Sequence, residues 1–321
     1  MICGSCFSEV KEPIYCSVCK TPLHKECAIK DDGFYCDDCY TLKDSEIPQI
    51  DVPDVIRRSY IETYKVCPLK AYYVLLKGIK APPNAYTQIG IDLHELFSKA
   101  SLDDNYTKSE MLDEFHKTWY NYNPSLFEND EEFKEKMHIR ATTSINNIYN
   151  ILPNMRKVVS AEETIQFPIG ENLPYVQTTS DRINSYKDGL EIIDWKTGAV
   201  MVGQKISSDL QAPLYIYGVQ QHYNKPVYRF VFHYLNEGKE RVFERVEGDK
   251  YVCTVGKRNY QITLRNTIHE VQSIFGKIKK GVFNVPTNTK KMFFTCKMCH
   301  LKDMEICKGA YLESWHQAQG R

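Results

Sequence analysis

Residues 178–198 read TTSDRINSYKDGLEIIDWKTG, two apolar runs that a short polar turn separates. Their alternation predicts two β-strands, with Asp181 and Asp194 at strand ends and Lys196 on the same face as Asp194. Two carboxylates that converge at one sheet edge can share a hard divalent cation, which also removes their mutual repulsion. An adjacent lysine can orient water or offset developing negative charge. The pattern favours phosphodiester hydrolysis, although an isolated Asp-x-Lys is also typical of a solvated hairpin.

The composition is that of an ordinary globular protein. The chain has 321 residues, of which 42% are hydrophobic and 26% charged, and its formal net charge is zero. Contact with nucleic acid must therefore come from local basic patches. No apolar run approaches the roughly 20 residues that a membrane span needs, and the N-terminus lacks a secretory pattern. These features predict a cytoplasmic protein without a membrane partner.

The twelve cysteines are unevenly distributed along the chain. Seven lie in the first 39 residues and three between residues 296 and 307, while Cys67 and Cys253 stand alone. In a reducing cytosol such clusters bind metal more often than they form disulfides. Cys253, within YVCTV, is predicted to be a buried free thiol in a strand.

The N-terminal cysteines have the spacing of a zinc-binding module, predicted over residues 1–42. Four close pairs of soft ligands suit two tetrahedral zinc sites, and a segment this short needs metal for most of its folding free energy. The eight ligands are Cys3, Cys6, Cys16, Cys19, His24, Cys27, Cys36 and Cys39.

The order of these ligands resembles the PHD and RING class of cross-brace fingers. The resemblance implies that Cys3, Cys6, His24 and Cys27 hold one zinc ion, and that Cys16, Cys19, Cys36 and Cys39 hold the other. A tandem arrangement is the alternative. Residues 1–46 carry nine acidic and five basic side chains, which opposes docking on a phosphate backbone. A protein contact or a structural cap is therefore the expected role of the finger.

The rest of the chain mixes helical and strand patterns. Residues 43–54 contain charges and two prolines and are predicted to be a linker, residues 55–310 a single domain, and residues 311–321 a tail. Helical periodicity predicts an inserted helical subdomain over 105–150. Further along the chain, a strand at 227–234 and a helix near 260–279 are predicted. The mixture of helices and antiparallel strands predicts an α/β class with a mixed sheet.

Five motifs resemble the RecB-like branch of the PD-(D/E)XK nuclease superfamily, across residues 57 to 308. The resemblance implies a restriction-endonuclease-like mixed sheet flanked by helices. The motifs are SYIETYKVCP, GIDLHE with His94, SDRI with Asp181, IIDWKTG with Asp194 and Lys196, and LQAPLYIYG with Gln211 and Tyr215.

The same resemblance assigns roles to these residues. It implies that His94, Asp181 and Asp194 ligate a catalytic Mg²⁺ or Mn²⁺ and that Lys196 is the catalytic lysine. Gln211 and Tyr215 would support the site or touch DNA, and Glu163, on the preceding strand, is a candidate for an outer role.

The C-terminal cysteines resemble those of the iron–sulfur nucleases of this branch, such as the CRISPR-associated RecB-like exonucleases and AddB. The resemblance implies that Cys67, Cys296, Cys299 and Cys307 bind a [4Fe–4S] cluster that joins the two ends of the domain. A third zinc ion, with His300 as a further ligand, is the alternative, because thiolates suit either metal.

Charge near these cysteines favours a DNA-facing role. Residues 57–80 hold six basic side chains and one acidic one, and residues 277–302 hold seven lysines and no acid. With Tyr72, Tyr73, Phe293 and Phe294 interleaved, they could follow a single strand by backbone contact and base stacking.

The expected function is a metal-dependent DNA exonuclease or end-processing nuclease acting on single-stranded DNA. TTSD stands where the family usually has a glycine before the first aspartate. This departure leaves an alternative, a non-catalytic DNA-binding adaptor that recruits a partner through its finger. A RING-type ubiquitin ligase, which would rest on the finger alone, is a third hypothesis.

Overall fold

The computed structural model describes residues 3, 10–17, 22–36, 51–283, 296, 299–304 and 306–307. The strands are β1 (Ile14–Tyr15), β2 (Pro22–Leu23), β3 (Ile29–Lys30), β4 (Phe34–Tyr35), β5 (Val55–Arg57), β6 (Val158–Phe167), β7 (Tyr175–Tyr186), β8 (Gly189–Lys196), β9 (Val227–Tyr234), β10 (Lys239–Glu247), β11 (Lys250–Val255) and β12 (Arg258–Thr263). The predicted tail, residues 311–321, and most of the predicted linker lie outside these residues.

The α-helices are α1 (Arg58–Val66), α2 (Pro68–Ala71), α3 (Ala85–Leu102), α4 (Lys108–Tyr120), α5 (Glu131–Ile151), α6 (Lys205–Ser208), α7 (Gln211–Tyr223), α8 (Leu264–Lys279) and α9 (His300–Asp303). A π-helical segment over Tyr72–Leu76 follows α2, and short 3₁₀ turns lie at Lys25–Cys27, Pro124–Phe127 and Leu152–Asn154. None of the helices in the described parts of the chain is long and apolar enough to cross a membrane.

The described residues form two compact units. The first takes its residues from Met1–Pro82, Pro168–Gln177 and Arg265–Arg321, and the second from Pro83–Phe167 and Thr178–Leu264.

The second unit is a mixed sheet flanked by helices. Its strand order is β12-β11-β10-β9-β8-β7, with β6 pairing β7. β8 and β9 are parallel, whereas β7–β8, β9–β10, β10–β11 and β11–β12 are antiparallel. The parallel pair requires a crossover connection, which α7 provides. This architecture confirms the predicted α/β class with a mixed sheet.

Alternate residues of β8 and β9 face opposite sides of this sheet. Ile193, Trp195 and Val231 belong to a core shared with α3, α4 and α5. α4 and α5 are the helices that correspond to the predicted insertion over residues 105–150. The intervening residues, such as Asp194 and Phe232, face the other side because side chains alternate along a strand.

Local signals set the ends of α3 and α8. The side chain of Asn84 accepts a hydrogen bond from the Thr87 amide at 3.0 Å, so α3 begins at Ala85, ahead of the GIDLHE motif. The helix predicted near residue 260 begins instead at Leu264, because β12 pairs with β11 over residues 258–263.

In the first unit, β5 pairs in parallel with Tyr175–Gln177 at the start of β7. α1 and α8 are joined by an ion pair between Lys65 Nζ and Glu270 Oε1 at 2.7 Å. The finger contributes two antiparallel pairs of two-residue strands, β1–β2 and β3–β4.

Candidate active site

The ladder between β7 and β8 ends at the pair Arg182 and Ile193. One residue beyond this pair are Asp181 and Asp194, whose exposed fractions are 7% and 2%. Asp181 Oδ2 accepts a hydrogen bond from the Trp195 amide at 2.6 Å. The side chain of Asp181 thus continues the link between the two strands where their backbone pairing stops.

Asp194, Lys196 and Gln211 form a connected polar group. Lys196 Nζ lies 2.7 Å from Asp194 Oδ2 and donates to Gln211 Oε1 at 2.7 Å. The Gln211 amide nitrogen donates in turn to Asp194 Oδ1. Burial raises the pKa of Asp194, the charge of Lys196 opposes this shift, and the charge of Asp181 adds to it. Gln211 is the first residue of α7, so the helix start fixes the position of both charged groups.

His94 of α3 lies beside two carboxylates. His94 Nδ1 is 3.3 Å from Asp181 Oδ1 and 3.6 Å from Glu162 Oε1. Burial alone would lower the pKa of His94, but the charge of Asp181 and hydrogen bonds to Asp181 and Glu162 outweigh burial and raise it to about 10. The raised pKa of His94 indicates that the site carries excess negative charge, which a bound cation would neutralise.

The donor set fits a divalent cation. One ligand atom from each of His94, Glu162 and Asp181 lies within 4.8 Å of the others. One imidazole nitrogen and two carboxylate oxygens suit Mg²⁺ or Mn²⁺, and Mn²⁺ accepts the nitrogen more readily. Of the predicted ligands, His94 and Asp181 belong to this group, whereas Asp194 lies next to it and is paired with Lys196.

Glu162 is a site residue that the sequence did not reveal. Its backbone adopts φ 50° within β6, a left-handed conformation that is rare for a residue with a side chain. The neighbouring Glu163, for which the sequence predicted an outer role in the site, instead accepts hydrogen bonds from Ser160 and Tyr223. It also lies 3.3 Å from His222 Nε2. Strand alternation alone cannot identify which of the two glutamates faces His94, and no residue type in AEETIQF signals the left-handed backbone.

Tyr215 lies one helical turn after Gln211 on α7. Its exposed fraction is 6%, and its ring packs edge-on against Phe230 with the centroids 6.0 Å apart. This placement suits the supporting role among the two roles predicted for Tyr215.

In the first unit, the four predicted cluster thiols lie close enough to interact electrostatically. Burial raises the pKa of Cys67, and the neighbouring Cys299 and Cys307 raise it further. Burial likewise raises the pKa of Cys296, with contributions from the other three thiols. Sulfur atoms that raise one another's pKa are destabilised as free thiolates, and a shared metal would relieve this. Phe293 and Phe294, which are predicted to interleave with the basic side chains of residues 277–302, lie outside the described residues.

The finger brings together ligands that are distant in sequence. Sulfur or nitrogen atoms of Cys3, His24 and Cys27 lie within 4.8 Å of one another, as the cross-brace pairing requires and the tandem pairing does not. Cys16 and Cys36 are buried. The remaining predicted ligands, Cys6, Cys19 and Cys39, lie outside the described residues.

Comparison with known families gives one match. The model of the PD-(D/E)XK nuclease superfamily matches residues 58–308, a range that contains α3, β6, β7, β8 and α7. A search of curated proteins finds no significant match.

Proposed function

The chain belongs to the PD-(D/E)XK nuclease superfamily, and on this premise we propose that it is a metal-dependent DNA nuclease of the RecB-like branch. Its substrate is single-stranded DNA or a DNA end, which it degrades as an exonuclease. The observation that carries the proposal is the convergence of His94, Glu162 and Asp181 within 4.8 Å, next to the Asp194–Lys196 pair.

The roles of the residues follow from this geometry. His94, Glu162 and Asp181 would hold the divalent cation, with Asp194 adjacent. A bound cation would supply a water of lowered pKa and would offset charge on the phosphate. Lys196 lies beside Asp194 with its side chain partly exposed, so it can stabilise charge that develops on the phosphate oxygens.

Gln211 positions the lysine. Its Oε1 accepts from Lys196 Nζ while its amide nitrogen donates to Asp194. Both charged groups are therefore held by one side chain that is itself 6% exposed. A preorganised ammonium costs no reorganisation during the reaction, which is the condition for electrostatic catalysis.

For the second metal centre we propose a [4Fe–4S] cluster on Cys67, Cys296, Cys299 and Cys307. The electrostatic contact among the thiols supports a common site. Zinc remains the competing occupant, and metal analysis of protein purified without oxygen separates the two. Iron and sulfide in equal amounts support the cluster, whereas zinc alone contradicts it.

For the finger we propose two zinc ions and a protein partner, in the reducing environment of the cytoplasm. The grouping of Cys3, His24 and Cys27 supports the cross-brace pairing. The acidic surplus of residues 1–46 makes a protein a better partner than a phosphate backbone.

The decisive experiment is degradation of end-labelled single- and double-stranded DNA with Mg²⁺ or Mn²⁺, using protein purified anaerobically. Cleavage should require the metal, and Asp194→Ala should abolish it. The product ladder then gives the direction of digestion. Metal-dependent cleavage at the wild-type rate by Asp194→Ala would show that this site is not the active site.

Binding without cleavage, by protein of intact metal content, would favour the non-catalytic adaptor. Ser180, of the divergent TTSD, has an exposed fraction of 0%. Its side chain therefore lies inside the protein and does not obstruct an approaching substrate, which supports the catalytic proposal.

A further inference from the structure

Helix α3 exposes two large apolar side chains next to the candidate active site. Tyr86 and Ile91 have exposed fractions of 56% and 59%, although the helix buries Ile89, Leu93 and Phe97 in the core. An exposed ring on a helix whose apolar face is already buried contributes little to folding. Tyr86 and Ile91 are thus available for contact with another molecule.

Tyr86 lies between two cavities of the second unit. The first has a volume of about 670 Å³ and is lined by His94 and Glu162 of the metal group, together with Ile91. The second has a volume of about 230 Å³ and is lined by Arg140, Thr197 and Gly198. Tyr86 and Thr87 line both. The two cavities therefore adjoin at Tyr86, and the first reaches the reacting centre.

The helical wall of the first cavity includes three small residues, Thr87, Gly90 and Ser98, beside the longer side chains of Ile91, Glu95 and Lys99. A volume of this size is within the range of small-ligand sites, about 300–1,000 Å³. It can hold a nucleotide beside the metal group without any rearrangement of the helix.

The second cavity is lined by a positively charged side chain, that of Arg140. Arg140 Nη2 donates to the Thr197 carbonyl oxygen at 2.8 Å, so the guanidinium is fixed next to the residue that follows Lys196. Asn236 donates to the same oxygen at 2.8 Å. The remaining donors of Arg140 are suited to a phosphate.

We infer that a single strand of the nucleic-acid substrate lies along α3, with one base stacked on Tyr86 next to the phosphate being cleaved and a neighbouring phosphate at Arg140. This inference rests on the proposed nuclease function. Phe133 packs against Tyr86 with the ring centroids 5.7 Å apart, which holds the ring in place while leaving more than half of it exposed. Bases within a duplex are already stacked and paired, so this contact selects for single strands.

The test compares Tyr86→Ala and Tyr86→Trp with the wild type. Tyr120→Ala is the matched control, because Tyr120 is 82% exposed on α4 and lines neither cavity. Cleavage of a mixed-sequence single-stranded oligonucleotide with Mn²⁺ gives kcat and KM. Fluorescence anisotropy with Ca²⁺ gives the Kd for the same oligonucleotide and for its duplex.

We expect Tyr86→Ala to raise KM and Kd for the single strand roughly tenfold, with kcat changed less than twofold. Duplex binding should be unaffected, Tyr86→Trp should retain wild-type values, and so should Tyr120→Ala. A 2-aminopurine base placed near the cleaved end should be quenched by the wild type and not by Tyr86→Ala. Equal effects on single strand and duplex, or none beyond those of Tyr120→Ala, would overturn the inference.

The outcomes also separate this inference from the nuclease proposal. Tyr86-dependent binding without any cleavage would support the proposed strand-binding surface on α3 and contradict the proposed nuclease activity. Cleavage that depends on Asp194 but not on Tyr86 would support the nuclease activity and contradict the strand-binding surface.

Discussion

Glu162 and Glu163 are neighbours in sequence with different surroundings. Glu162 Oε1 lies 3.6 Å from His94 Nδ1, whereas Glu163 contacts Ser160 and Tyr223. We expect Glu162→Gln to weaken Mn²⁺ binding roughly 10- to 100-fold, because it removes one charge and one ligand oxygen. Titration calorimetry or electron paramagnetic resonance measures this affinity directly.

Glu163→Gln is the matched control for that substitution. It makes the same chemical change one residue further along the strand and should leave Mn²⁺ affinity within about twofold of the wild type. If the two variants bind Mn²⁺ equally, or if Glu163→Gln has the larger effect, Glu162 is not a ligand.

These glutamates also mark how far side chains can be assigned from sequence. The period of two along a strand sufficed to predict that Asp194 and Lys196 share a face, and their atoms lie 2.7 Å apart. His94 required a family resemblance, because nothing in the sequence around it shows that α3 approaches β7. Glu162 could not be predicted, since its φ of 50° interrupts the alternation on which the reasoning depends.

Helix α7 approaches β6 so closely that one position admits only glycine. A Cβ added to Gly218 would lie 2.3 Å from Phe167 Cε1, and the exposed fraction of Phe167 is only 1%. We expect Gly218→Ala to lower the free energy of unfolding by about 1–3 kcal/mol through overpacking. Urea denaturation measures the change.

A shift of α7 would also reach the candidate active site, because this helix begins at Gln211. Gly218→Ala should therefore lower kcat as well as stability. Phe167→Leu, combined with Gly218→Ala, replaces the obstructing ring with a smaller side chain and should recover part of the lost stability and part of the lost kcat. Purely additive effects of the two substitutions would show that the contact is not the cause.

The contact between α4 and α5 contains a partly buried histidine. His138 lies against the rings of His116 and Trp119, with centroids 5.3 and 4.9 Å away. Burial, and then the neighbouring His116, lower the pKa of His138. The unfolded chain binds this proton more tightly, so stability should fall as the pH drops below about 6.5, the ordinary histidine value.

His138→Gln should reduce that loss, because it removes the group that the folded state cannot easily protonate. Urea midpoints at neutral pH and at a pH below the ordinary histidine pKa provide the comparison. His269→Gln, at an exposed position of α8, should keep the wild-type acid sensitivity. An unchanged difference between the two midpoints in His138→Gln would contradict the prediction.

Among helices and strands, the regular ones were the most predictable. The strand at 227–234 was predicted with its observed limits, because it is a short run rich in aromatic and β-branched residues between turn signals at 224–226 and 236–238. The last residues of β12 were instead placed in the predicted helix near 260–279, although the two-residue spacing of Tyr260, Ile262 and Leu264 is that of a strand. The pairing of β12 with β11 decides in favour of a strand, and such a pairing is not visible in a local window.

Over the length of the chain, the proposed cluster ligands Cys67, Cys296, Cys299 and Cys307 come from segments more than two hundred residues apart. We expect Cys67→Ser to lose most of its bound iron and to unfold at a lower urea concentration than the wild type. Without the proposed cluster, closing a loop this long has a large entropic cost. Iron analysis and urea denaturation, both on protein purified anaerobically, test this.

Cys253→Ala is the control for the loss of a buried thiol. Cys253 is fully buried in β11, in the second unit, and its replacement should leave the iron content unchanged. Equal iron loss in both variants would point to a general effect of destabilisation rather than to ligation by Cys67.

The long-range organisation of the chain was only partly accessible from the sequence. Cysteine spacing predicted a metal site towards each end of the chain, and the motif order suggested the sheet between them. The division into two units, each assembled from separate stretches of sequence, was not predictable, because composition shifts mark linkers and not the points where a strand such as β7 passes from one unit to the other.

The two oxygens of Asp181 have separate tasks. Oδ2 holds the Trp195 amide at 2.6 Å, while Oδ1 faces His94. The exchange rate of that single amide hydrogen is therefore a spectroscopic reporter of the proposed metal-binding carboxylate. An isotope-edited spectrum of Trp195 would follow the occupancy of the candidate site in the intact protein, without any label placed on the substrate.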